Sequence, residues 1–197
     1  MDSRIFILGR DILPESISLK EGESLKWTIV CLPGASADVD ITVNLDGPGA
    51  GLDLAGLYLC PKDEKVRLHI DVRHNSGGCE SHQLFKGIVG GSANASFDGL
   101  IYVAHGSQKT KAYQENHSIL LSATAKAESR PQLEIYADDV ECSHGSTTGF
   151  LNEDELFYMR SRGIPEQEAR RLQMISFLAP VLERLPEELR DEIISEC

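Results

Sequence analysis

The sequence lacks most of the parts that announce chemistry. Its five cysteines, at 31, 60, 79, 142 and 197, stand apart with no CxxC pair, which excludes a zinc ribbon or a thioredoxin-like site. No GxSxG elbow, HExxH helix or GxxxxGK[ST] loop is present, so serine-hydrolase, zinc-protease and P-loop ATP-binding readings fall away. β-Helix polysaccharide enzymes need grouped carboxylates on one face, whereas Asp138 and Asp139, adjacent in an extended chain, point to opposite faces. No catalytic residues are assigned, and the chain is expected not to be an enzyme.

Long apolar runs are missing as well. None approaches the ~18 residues of a membrane-spanning helix, and Ile5-Phe6-Ile7-Leu8 is too short for a signal peptide's hydrophobic region. Positive charge is scarce. Lys and Arg number 19 against 31 Asp and Glu, a net charge of −12, which argues against nucleic acid and against an anionic membrane surface as partners. These absences point to a soluble, cytoplasmic protein whose thiols stay free. Cys31 and Cys60 close apolar runs and read as small buried hydrophobes. Cys197, the last residue, reads as a frayed free thiol.

Helical periodicity is absent between Ile17 and about Asp139. What fills that span is a cadence of short alternating runs: Lys26 to Leu32, Val39 to Leu45, Leu52 to Cys60, Val66 to Val72, Leu84 to Val89, Leu100 to Val103, Ile119 to Leu121 and Leu133 to Tyr136. Turn-forming clusters such as Asp46-Gly47-Pro48-Gly49 and Asn75-Ser76-Gly77-Gly78 separate them. The class is mainly β; sandwich, barrel and solenoid all fit the cadence, and no strict short repeat decides among them. The apolar fraction of 41% suffices for a core.

Helices follow. Asn152 is an N-cap with Glu155 three residues on, Arg160 and Arg162 close the last turn, and Gly163 ends it. Pro165 suits the first position of a second helix, with Ala169, Leu172, Ile175 or Ser176, Ala179 and Leu182 near one face. Pro180 should kink or interrupt it. Pro186-Glu187-Glu188 starts a third, with Leu185, Leu189 and Ile193 spaced by four. The chain thus divides into a β core, residues 1–149, and a helical segment, residues 150–197.

At the junction, Cys142 and His144 stand two residues apart, on one side of the chain if it is extended. They form at most half a tetrahedral metal site, which argues against a closed structural site within this chain but would serve if a second subunit supplied the rest; the bland alternative is a pair of ordinary residues closing a strand. His74, Cys79 and His82 are a second candidate group, in which Cys79 and His82 read as loop residues.

The stretch around that pair resembles the SufB/SufD family of iron–sulfur cluster assembly proteins, nearer its SufD branch. The matching residues are Ala137-Asp138-Asp139-Val140, Cys142-Ser143-His144-Gly145, Thr147, Gly149, Leu156-Phe157-Tyr158 and Arg160-Ser161-Arg162-Gly163-Ile164. His74, Ser81 and Leu84-Phe85-Lys86-Gly87 extend the match upstream, as do Gln108-Lys109-Thr110, Gln114, Asn116 and Leu120-Leu121-Ser122. The resemblance runs from about Arg73 through the second helix, with residues 1–72 fitting in general character. Family members are usually longer, with a helical region ahead of the strands.

The resemblance implies a right-handed β-helix core, whose open ends need a cap; the C-terminal helices can supply one. It places His144, with Cys142 as the second candidate, at an interface where subunits pair and a transient iron–sulfur cluster forms. It implies a SufB-like partner subunit, or a second copy, across that interface. The helical segment, with Leu156, Phe157, Tyr158, Arg160, Arg162 and Ile164, would dock an ABC-type ATPase. The competing implication is a structural or regulatory module that binds the ATPase and never touches iron.

Overall fold

The structure is a computed structural model and describes residues 2–197. Eleven strands run in sequence: β1 Asp2–Ile7, β2 Ser16–Leu19, β3 Ser24–Cys31, β4 Ala37–Leu45, β5 Gly51–Cys60, β6 Lys65–His74, β7 Glu80–Val89, β8 Asn94–Val103, β9 Thr110–Leu120, β10 Lys126–Ile135 and β11 Val140–Phe150. Odd strands form one six-stranded sheet, in the order β1-β3-β5-β7-β9-β11. Even strands form a five-stranded sheet in the order β10-β8-β6-β4-β2. Every neighbouring pair is parallel. The chain therefore crosses from one sheet to the other at each step and returns one rung higher. This is a β-solenoid, which decides among the three architectures the cadence allowed.

The register builds columns through the interior. Leu25, Leu52, Ser81, Ala112 and Cys142 stand in one column; Trp27, Leu54, Gln83, Gln114 and His144 stand in the next. In the early rungs these positions are apolar and buried together with Ile41, Val43, Ile70 and Val72 of the facing sheet. In the later rungs they turn polar, with Ser81, Gln83, Gln114, Asn116 and Ser118 all buried. Glycine makes room where a large side chain reaches across rungs: a Cβ on Gly87 would strike the ring of Tyr58. The Tyr58 hydroxyl donates to Asn116 Oδ1 (3.1 Å) and meets Ser118 Oγ at 2.8 Å. Burial pushes its pKa up to about 12, so it acts as a neutral hydrogen-bonding strut.

Three helices follow: α1 Glu153–Ser161, α2 Glu166–Leu182 and α3 Glu187–Glu196. The expected cap of α1 is present. Asn152 Oδ1 accepts from the backbone N–H groups of Asp154 (3.0 Å) and Glu155 (3.2 Å), and Gly163 terminates the turn with φ +88°. Glu187 does open α3, and Leu189 and Ile193 are buried.

Several expectations are corrected. The helices do not cap an open end of the solenoid; they cover the outer face of the six-stranded sheet. Val30, Ala55, Leu57, Leu59 and Ile88 point outward there and share one apolar cluster with Met174, Leu178, Val181, Leu185 and Ile193. A strand apolar on both faces needs cover on both, and β5 is such a strand. The buried face of α2 runs through Ala169, Met174, Leu178 and Val181, leaving Leu172 exposed. Pro180 does not interrupt α2, which continues to Leu182; its ring removes one backbone N–H, while Leu178, Val181 and Leu182 on either side of it stay buried and hold the last turn in place. Cys197 is half-buried against the helical cluster rather than frayed. Cys31 and Cys60 are buried as expected.

Candidate functional site

The final rung leaves the solenoid open. β11 pairs only with β9 and β10 only with β8, so each presents one unpaired backbone edge at the same end of the stack. The two edges differ in kind. β10 carries Lys126, Glu128, Arg130 and Glu134, together with Pro131, which has no N–H to offer. Charges and proline are the usual devices that keep an edge from recruiting another strand. In β11 the only carboxylate is Glu141, and from Cys142 to Phe150 no residue is charged when His144 is neutral.

Cys142 and His144 both lie on this strand. Cys142 is in register with Ala112 and His144 with Gln114. Ala112 and Gln114 are buried inward positions of β9, so both site residues stand on the interior-facing side of the rung that closes it. The expectation that they share one side is correct. Cys142 is half-buried, packed with Leu133 and Val140 against Ile101, Val103, Ala112 and Ala137. That burial holds its thiol above the usual pKa, partly offset by a backbone hydrogen bond with Ala112, so the sulfur keeps its proton at neutral pH unless a metal displaces it. His144 is exposed, and its ring makes no hydrogen bond to the other described residues. No group of three or more His, Cys, Asp or Glu side chains converges among the described residues.

The second candidate group does not assemble. His74 and Ser81 do meet in the interior, His74 Nε2 lying 2.9 Å from Ser81 Oγ. Burial drives the His74 pKa down to about 4, so the ring is neutral there. Cys79 is a loop residue as expected, between β6 and β7, but a buried one, its thiol donating to the Gly47 carbonyl oxygen at 3.3 Å. His82 lies on the outer face of β7, stacked on Tyr113 at 4.9 Å and 2.7 Å from Glu80.

The helical segment places its candidates on two sides. Leu156 is buried, whereas Phe157 and Tyr158 are 73% and 59% exposed. Arg160 and Arg162 are exposed and Ile164 half-buried, with Arg162 stacked over the Tyr158 ring at 5.2 Å. A groove of about 860 Å³ opens beside them, lined by Phe150, Tyr158, Leu172 and Phe177 together with Asp154 and Glu155. The sequence reading did not single out Phe150, although an aromatic residue closing an edge strand was a visible signal, and it placed Leu172 on the packed face of the second helix rather than in this groove.

The comparison with known proteins bears on this arrangement. Residues 12–177 match the family model described as "SUF system FeS cluster assembly, SufBD core domain". This chain belongs to the SufBD family. The match reaches well upstream of Arg73, so the first rungs carry the family pattern too. Among curated SufBD relatives, the chain is similar to the "Iron-sulfur cluster assembly protein SufD" of Escherichia coli, with 38% identity over 165 residues, 83% of this chain and 39% of the relative. It is 30% identical to the Bacillus subtilis protein of the same name, over 87% of this chain and 39% of that one. It is 38% identical to "Protein ABCI7, chloroplastic" of Arabidopsis thaliana, over 74% and 31%. The chain thus spans about two fifths of the length of these relatives or less. No helix among the described residues is long and apolar enough to cross a membrane.

Proposed function

We propose that this chain is a SufD-like scaffold subunit of a SUF-type iron–sulfur cluster assembly complex, working in the cytoplasm and carrying no enzymatic step of its own. The observation that carries the reading is the position of Cys142 and His144 on β11, the free edge of the open final rung that is uncharged from Cys142 to Phe150. A second chain adding its own edge strand there would complete the backbone hydrogen bonds of β11. It would also bring further ligands toward the pair. Thiolate and imidazole both ligate iron–sulfur centres, and two chains together overcome the ligand shortage of one. The partner is a SufB-like subunit or a second copy of this chain, and the nascent cluster is cargo, held transiently between them. Because Cys142 must give up its proton to bind iron, loading is favoured by higher pH.

The helical segment docks an ABC-type ATPase in this account. Phe157, Tyr158, Arg160 and Arg162 supply exposed apolar and cationic contacts, with Ile164 at their edge, and Leu156 holds α1 against α2. Aromatic and arginine side chains are the types that dominate binding energy at interfaces.

The second reading is a structural or regulatory module that binds the ATPase and never carries iron. Anaerobic reconstitution with iron and sulfide separates the two. The scaffold reading predicts a cluster in the complex with the paired subunit and none in the isolated chain. A complex that binds the ATPase yet takes up no iron at this interface would support the structural module instead.

A further inference from the structure

Buried polar atoms are nearly always paired, and an orphan calls for an explanation. The solenoid interior holds such an orphan directly beneath the candidate site. Gln114 on β9 is 1% exposed. Its Nε2 donates to Gln83 Oε1, one rung below, at 3.0 Å. That bond leaves Gln114 Oε1 without a hydrogen-bond partner among the described residues. Across the interior, a Cβ on Gly99 would collide with the Gln114 amide, so the side chain spans the gap between the sheets and rests on the glycine backbone of β8.

The next rung up is the last one. His144 is the register partner of Gln114, and Pro131 is that of Gly99. Parallel register partners lie roughly 4.8 Å apart with side chains on the same face. Pro131 has no donor, whereas the ring of His144 carries an N–H and makes no hydrogen bond to the other described residues. An imidazole that ligates a metal through one nitrogen commonly donates its other ring N–H to an oxygen, which fixes the tautomer and the ring orientation.

We infer that Gln114 is a positioning residue for His144: its orphan Oε1 accepts a ring N–H of His144 when a partner covers the open end, aiming the other nitrogen at the paired subunit. Gln83 is the second link, because it holds the Gln114 amide with its oxygen free. The inference rests on the reading of His144 as a ligand in the assembled complex. It adds a specific consequence, namely that two buried amides with no access to iron govern how well iron is held.

The test uses the full chain labelled with ¹⁵N-histidine, alone and in complex with the paired scaffold subunit, with the His144 signal identified by its loss in His144→Ala. The inference predicts one ring tautomer for His144 in the complex and a mixture of both in Gln114→Met. Gln83→Met, which leaves Gln114 in place but frees its amide to turn, should loosen the tautomer in the same direction and serves if Gln114→Met does not assemble. Cluster occupancy at limiting iron should fall about tenfold in Gln114→Met, the lower end of what loss of such an outer partner costs. A tautomer mixture in the wild-type complex, or a single tautomer unchanged in whichever variants assemble, overturns the inference. Wild-type cluster yield in His144→Ala overturns instead the ligand role on which it stands, so the two failures are told apart.

Discussion

The guanidinium of Arg184, in the turn between α2 and α3, donates to Asp53 Oδ1 on β5 at 2.6 Å. The same side chain donates to Thr28 Oγ1 (3.1 Å) and to the backbone oxygens of Trp27 (3.2 Å) and Asp53 (3.1 Å). One largely buried arginine thus ties the helical layer to two strands of the solenoid. Asp53 is partly exposed, so the ion pair itself is screened, but the backbone carbonyls lose their donors if the side chain is removed. Arg184→Met should cost about 2 kcal/mol of stability in equilibrium unfolding. A change within a few tenths would mean that the apolar cluster alone fixes the helices.

His74 makes stability depend on pH. Its folded pKa is about 4 against an ordinary value of 6.5, so between those values the unfolded chain binds the extra proton. The stability contributed by the neutral ring is fully present above pH 6.5 and is lost as pH falls toward 4. Across that window the loss amounts to about 3 kcal/mol. His74→Gln should remove this component, so the wild-type and variant curves converge as the pH is lowered. Parallel curves would show that His74 titrates normally.

Thiol reactivity should follow burial. Cys31, Cys60 and Cys79 are buried, while Cys142 and Cys197 are partly accessible with pKa values held above the usual range by burial. Native alkylation followed by peptide mass spectrometry should label Cys142 and Cys197 slowly and the other three only after unfolding. Labelling of Cys31 at the Cys142 rate would contradict the packing of β3.

Much of this was legible in the chain. The alternation over Val39 to Leu45, the Asn152 cap and the spacing of Cys142 and His144 each reflect local periodicity, and each is present. Local pattern could not reveal contacts between rungs. Gln83 and Gln114 stand at alternating polar positions, which in an isolated strand read as solvent-facing, and their hydrogen bond joins residues 31 apart in sequence. The helical cover on the outside of β5 had a signal, the unbroken apolar run over Leu54 to Cys60, but what would cover it lay more than a hundred residues on. Pro180 was expected to kink or interrupt α2, and the helix runs on through it to Leu182, because the packing that holds the last turn comes from strands far away in sequence.

Exposure separates the roles of neighbours on α1. Phe157→Ala and Tyr158→Ala should weaken binding of the ATPase tenfold or more, since aromatic anchors at interfaces commonly contribute above about 1.4 kcal/mol, and should leave the unfolding midpoint unchanged. Leu156→Ala removes a buried side chain and should cost about 2–4 kcal/mol of local stability. Unaltered ATPase affinity in both aromatic variants, read by titration calorimetry, would remove α1 from the docking surface.

The central claim is that His144 contributes to holding the cluster between paired subunits. Its most direct measurement is iron content and charge-transfer absorbance of anaerobically reconstituted His144→Ala complexes, purified intact and compared with wild type. The account predicts normal assembly of the subunits with cluster yield reduced severalfold. Assembly and cluster yield both at the wild-type level would contradict it.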